Sequence, residues 1–293
     1  MNLLSNLISG LAIGSVYAVI ALGYTMVYGI SKMLNFAHGD VIMVGAYISF
    51  CATVYWNMPA WAGILVSMAF CTVLGIIIEG LAYKPLRGTG SLSVLITAIG
   101  VSYFLQNAAL LIFGSAPKMF TSVFKGEAFE LLNHQLVITR ETVFTFSICI
   151  VIMLLMWFFT QKTKIGKAMR AVSEDNNAAR LMGIDVNRTI SLTFAIGSML
   201  AAVAGVLLCS NYPVLMPTTG SMPGIRAFTA AVFGGIGSIP GAMVGGILLG
   251  IIEIFARAYI SSELSDAIVF AVLIIVLLVK PTGLLGKKIS EKV

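Results

Sequence analysis

From Asn2 to Ser31 the chain carries no charged residue, and the first ionised side chain is Lys32. A helix of that length spans about 45 Å, against roughly 30 Å for the hydrocarbon core of a bilayer. Further apolar stretches follow at 40–56, 60–82, 91–113, 141–160 and 189–210. A soluble globule has no place for so many uncharged runs. Composition agrees: 59% of the 293 residues are hydrophobic and 10% charged, where a soluble domain carries about 25% charged residues. The mean hydropathy is +1.00.

Past residue 211 the pattern changes. Pro213, Pro217 and Pro223 exclude a simple helix up to about residue 223, since proline lacks the amide donor and clashes with the preceding turn. The apolar region 225–257 is cut by "GGIGSIPG", Gly234 to Gly241, which reads as a break between two crossings, 225–237 and 240–257. A last span covers 264–280. The expectation is an all-α polytopic membrane protein, a single domain over 1–293. It has about eight transmembrane helices and a broken or re-entrant region near 211–241.

Lysine and arginine in short loops orient such a chain. Six of them (Lys162, Lys164, Lys167, Arg170, Arg180 and Arg188) fall within 161–188 against three acids. Lys84 and Arg87 mark the link after the third span, and the tail adds Lys280, Lys287, Lys288 and Lys292. The loop 114–141 balances three bases with three acids. Thus 83–90, 161–188 and the tail face the cytoplasm, and 114–141 faces outward. The N-terminus then lies outside, and "LNFAHGD", Leu34 to Asp40, falls at a cytoplasmic-side junction between the first two spans. No basic leader precedes the first apolar stretch, so no cleavable signal is expected. The charge of +6 reads as topology, with no basic run interleaved with aromatics to suggest nucleic acid.

The segment 161–188 is long for a connector. Ala168, Met169, Val172, Ala179, Leu181 and Met182 have helical spacing. Ser173 can cap a second short helix, Glu174 and Asp175 suit its positive first turn, and Gly183 ends it. A basic connector that only holds topology would need none of these.

Here the sequence resembles a known family. "NAARLMG" is similar to the Ala-Ala-x3-Gly core of the coupling loop in ATP-binding-cassette importer permeases, with Asn177 where the pattern usually has Glu and without its later Leu-Pro. "GYTMVYGISKMLNFAHGDVIMVGAY", "AVSEDNNAARLMGIDV" and "AFTAAVFGGIGSIPGAMVGG" resemble, in this order, the membrane subunits that import branched-chain amino acids. Close relatives carry urea or short amides. The resemblance implies alternating access driven by two cytoplasmic ATPase subunits, a second homologous permease subunit, an extracytoplasmic substrate-binding protein and a bacterial inner-membrane location. It implies no cofactor and no catalytic activity. The ATPase-coupling residues it points to are Glu174, Asp175, Asn177, Ala178, Ala179 and Gly183.

Polar groups at membrane depth are functional candidates by default. In "LNFAHGD" two readings stand. Asp40 or Asn35 caps a helix end with Gly39 as the turn, or Asn35, His38 and Asp40 belong to the translocation path. Gln106 and Asn107 either bond a neighbouring helix or line a pore. Arg226, Gly234, Gly235 and Gly237 border broken backbone, tolerated at membrane depth only where it is buried in protein or lines a cavity. Half-helix N-termini there suit a passing carboxylate; close glycine–alanine packing is the alternative. Glu253 and Arg257, four apart, form a pair, and Glu79 is placed to reach water or to pair with Lys84. Cys51, Cys71, Cys149 and Cys209 read as isolated buried thiols. Neither histidine, His38 nor His134, has partners at metal-ligand spacing.

Other classes fit less well. No GxxxxGK[ST] phosphate loop is present, so energy must come from a partner or a gradient. A gradient-driven carrier would place acidic or histidine relays within its spans, and mid-span acids are scarce. A passive channel does not explain the cytoplasmic loop.

Overall fold

The computed structural model describes residues 2–124, 129–131 and 136–286. His134, Lys125, Glu127 and the tail lysines 287, 288 and 292 lie outside the described residues. Eleven α-helices account for most of the rest. They are α1 (Asn2–Ser31), α2 (His38–Val54), α3 (Ala60–Ile78), α4 (Ser91–Phe113), α5 (Arg140–Lys162), α6 (Lys164–Glu174), α7 (Asn176–Leu181), α8 (Val186–Asn211), α9 (Ser221–Gly234), α10 (Ile239–Tyr259) and α11 (Ser265–Val279). Six are long and apolar enough to cross a membrane, and the shorter apolar helices α2 and α11 bring the number to eight among the described residues. The expected segment 225–237 is α9, a helix of 14 residues, about 21 Å long and short for a crossing on its own.

α1 and α8 form the centre and are mostly buried, while α3, α4 and α5 bury only one stripe each. Small residues explain how the centre closes. Gly10 and Gly14 of α1 meet Gly246 and Gly250 of α10 backbone to backbone; a methyl group on Gly14 would stand 2.7 Å from the Ile247 carbonyl oxygen. Lipid offers helices no hydrophobic drive to associate, so close contact of this kind is what holds them. The outward rim, with Leu111 on α4 and Leu278 on α11 among its most exposed side chains, matches an apolar solvent.

Strand β1 (Lys118–Met119) pairs antiparallel with β4 (Val214–Leu215), and β2 (Phe129–Leu131) with β3 (Leu136–Ile138). The Phe120 amide also donates to the Pro213 carbonyl at 3.0 Å. The first pairing ties the loop after α4 to the chain entering α9.

Two helices start inside the bundle. α1 ends at Ser31, yet His38, which opens α2, packs on Gly23, about 12 Å back along α1. Residues 32–37, with Lys32 at φ +57° and a turn at 36–37, therefore climb back beside α1, so "LNFAHGD" is no simple junction at the cytoplasmic face. α9 likewise begins inside: Gly220 and Gly224 sit against Gly39. Pro223 does not delay α9, which starts at Ser221, because a first-turn proline lacks only an amide that has no helical partner.

Candidate functional site

The basic segment 161–188 folds as two short helices, α6 and α7, before α8 begins. Thr163 caps α6, accepting from the Gly166 amide at 3.0 Å. The cap of α7 is Asp175 rather than Ser173: its carboxylate accepts from the amides of Asn177 at 2.7 Å and Ala178 at 3.0 Å. Ser173 lies inside α6, where its hydroxyl donates to the Arg170 carbonyl, and the N-cap position of α7 falls two residues later, at Asp175. Gly183 ends the unit with φ +80°. Among the residues assigned to coupling, Glu174, Asp175, Asn177, Ala178 and Gly183 are exposed while Ala179 is buried. Leu181 and Met182, 89% and 82% exposed, were read from their spacing as part of an apolar face and prove to be its outward tip.

A chain of contacts runs from this loop into the bundle. Asp185 caps α8, accepting from the Arg188 amide at 3.0 Å. One turn along, Asn187 and Ser191 reach the end of α3: the Arg87 guanidinium donates to Asn187 at 2.5 Å, and the Ser191 hydroxyl to Glu79 at 2.6 Å. Glu79 also pairs with Arg87, not with Lys84. The reason is local. Residues Glu79–Tyr83 form a π-turn, the widened helix often found at functional sites, and it re-aims the side chains that follow. Tyr83, on the same turn, donates to the Asn35 side-chain carbonyl at 2.8 Å. Asn35 thus holds the climbing segment 32–37 to α3 and caps nothing.

That segment delivers α2 to a cavity of about 350 Å3 between α2, α4 and α9. Asp40, 2% exposed, lies in the first turn of α2. The Gln106 amide of α4 donates to Asp40 Oδ1 at 2.9 Å and lies 3.3 Å from both Ser102 and Ser221. Gly39 is helical rather than a turn; its lack of a side chain admits Gly220 and Gly224. Phe36, Leu95, Ile99 and Ile225 give the cavity an apolar wall. His38 is buried and tilted against Tyr24, with ring centroids 4.6 Å apart, and is not among the residues lining the cavity. Asn107 bonds the Tyr103 carbonyl on the exposed side of α4, so of the adjacent amides only Gln106 enters the site.

Comparison with known proteins then settles the family. A profile of the family described as "branched-chain amino acid transport system / permease component" matches residues 6–277. The high-affinity branched-chain amino acid permease LivH of Escherichia coli is 45% identical across 99% of this chain and 97% of its own length. BraD of Pseudomonas aeruginosa is 44% identical across 99% and 98%. The chain belongs to this family. It is a multi-pass permease of the bacterial inner membrane, a transport subunit. Among solved structures, a chain of PsaBC from Streptococcus pneumoniae matches 94% of this chain and 91% of its own length with a TM-score of 0.50 at 15% identity, a likeness of fold alone.

The permease keeps a second polar centre, on the far side of α9. Arg226, 12% exposed at its side chain, faces Glu253 of α10 at 2.9 Å and Asp266 of α11 at 2.5 Å, and donates to the Tyr17 hydroxyl of α1 at 3.1 Å. Arg257 reaches the same Glu253 oxygen at 2.5 Å. The pair expected from spacing is thus half of a four-charge cluster that sums to zero and joins four helices. Arg226 is not among the residues lining the cavity. Gly234, Gly235 and Gly237 form the turn between α9 and α10: Gly235 and Gly237 have φ +110° and +91°. The amides of Leu284 and Leu285 donate to the Phe233 and Gly234 carbonyls, which docks the chain after α11 onto this turn. Glycine here meets a backbone requirement.

Proposed function

We propose that this permease carries branched-chain aliphatic amino acids inward by alternating access. In this reading it works beside a second homologous permease subunit, is fed by an extracytoplasmic binding protein and is driven by two cytoplasmic ATPase subunits. The observation that carries the reading is α7: a side-chain-capped helix holding Ala178, Leu181 and Met182 exposed beneath the bundle. An apolar tip kept in water by two caps has the form of a helix that inserts into a partner's groove. The unit 161–188 would pass the motion of the ATPases to the start of α8. From there Arg87, Glu79, Tyr83 and Asn35 give a continuous route to α2 and the cavity. Asn35, Asp40 and Gln106 would border the substrate's path, while Arg226 and the glycines 234, 235 and 237 would hold the frame.

Co-purification from mild detergent tests the coupling role. Leu181→Asp combined with Ala178→Trp should abolish recovery of the ATPase subunits while the permease remains folded, because both positions face water. ATPase recovery equal to wild type would refute α7 as the docking element.

A further inference from the structure

Asp40 is a buried carboxylate facing a cavity, and among the described residues no basic side chain forms an ion pair with it. Its recorded side-chain partners, Gln106 and Ser102, are neutral. A carboxylate accepts only, so the Gln106 amide nitrogen must point at it. The amide and hydroxyl donors fix its orientation without cancelling its charge. Burying a charge at membrane depth without a counter-ion is unfavourable, and the first turn of α2 offsets only a part. The open side of this carboxylate is the cavity itself.

The remaining walls have a matching chemistry. The N-terminal end of α9 opens at Ser221, beside Gln106; it bears the positive end of a helix dipole and a hydroxyl. The lining also includes the aliphatic and aromatic side chains of Phe36, Leu95, Ile99 and Ile225. A negative group, a positive helix end and an apolar wall around 350 Å3, at the small end of ligand pockets, have the complement of one zwitterion with a hydrocarbon side chain.

We propose that this cavity is a transient binding site for one aliphatic α-amino acid, with its ammonium on Asp40, its carboxylate at the α9 N-terminus by Ser221 and its side chain against Leu95 and Ile99. The proposal rests on the transport reading above and adds what that reading lacks, a recognition site in the membrane. It also gives the two internal helix starts a common purpose, since the meeting of Gly39 with Gly220 and Gly224 brings both N-termini to one cavity.

The test is ATP-dependent uptake of radiolabelled leucine by the complete transporter in proteoliposomes, alongside ATP hydrolysis stimulated by the binding protein. Asp40→Asn should lower leucine uptake by the assembled complex about ten- to a hundred-fold, the usual range for losing a charged partner. Uptake within two-fold of wild type, taking about that as the error of such assays, overturns the site. Should Asp40→Asn fail to assemble, Leu95→Trp decides. It should cut uptake of leucine several-fold more than that of valine, which is smaller by one methylene, because the indole takes room the longer side chain needs. Equal loss of both overturns the site. If the wild-type complex takes up no leucine, the transport reading itself fails and this inference falls with it.

Discussion

Glu253 and Asp40 are both buried carboxylates in the bundle, and the fold treats them in opposite ways. Glu253, 0% exposed, has two guanidinium groups at 2.9 and 2.5 Å and belongs to a cluster of two cations and two anions. Asp40, 2% exposed, has an amide and a hydroxyl and lines a cavity. A neutralised cluster among four helices serves cohesion. A carboxylate left with neutral donors at a cavity wall serves an occupant that comes and goes. The two lie on opposite sides of α9, so one short helix separates frame from path.

The contrast is broken most directly at Arg226. Arg226→Met removes a cation from a cluster in which Glu253 and Asp266 both depend on it. Breaking a buried pair by deleting one partner costs about 3–5 kcal/mol. Thermal unfolding of the purified permease in detergent should therefore shift strongly downward, or the variant should fail to accumulate. A melting temperature near wild type would mean that the cluster is not cohesive and that the distinction drawn here is false.

A smaller effect is expected at Gln106. Gln106→Leu keeps the bulk of the side chain on α4 but strips the donor from Asp40 Oδ1. Loss of a hydrogen bond to a charged group costs about 1.5–3 kcal/mol. The same melting measurement should place this variant between Arg226→Met and wild type. A loss as large as that of Arg226→Met would make Asp40 a second cohesive centre.

The two centres differed in how legible they were. Uncharged runs and their lengths exposed the helices, because lipid forces every backbone polar group to be satisfied within its own segment. The two short helices of 161–188 were visible from the helical spacing of their apolar residues. The Glu253–Arg257 pair was readable because it lies one turn apart, but Arg226 and Asp266 join it from other helices, and no local pattern announces such a meeting. Asp40 and Gln106 were both singled out as polar residues in apolar surroundings, yet their contact across 66 positions was not foreseeable. The placement of "LNFAHGD" failed for a specific reason. Charge counts fix the side on which a loop turns, but they are blind to a chain that turns and then climbs back before its helix begins. Gly234, Gly235 and Gly237 were legible as a helix break, and the break is a tight turn in which Gly235 and Gly237 have the positive φ values that glycine alone adopts freely.

The finest discrimination comes from removing only charge. Asp40→Asn keeps size and shape, and an amide can still meet Gln106 through its carbonyl oxygen. Two terms oppose each other in the unloaded permease. Neutralising the side chain relieves a buried charge, and it forfeits the interaction with the α2 dipole, about 0.3–1 kcal/mol. The net change should stay within about 1 kcal/mol in either direction, visible as a small shift in melting temperature. Glu253→Gln lacks that compensation, because it leaves Arg226 and Arg257 buried against one remaining anion, Asp266. The two isosteric substitutions therefore part company: one destabilises, and the other leaves the fold nearly as it was. If both destabilise alike, Asp40 is a structural charge, and its open side in the cavity is incidental.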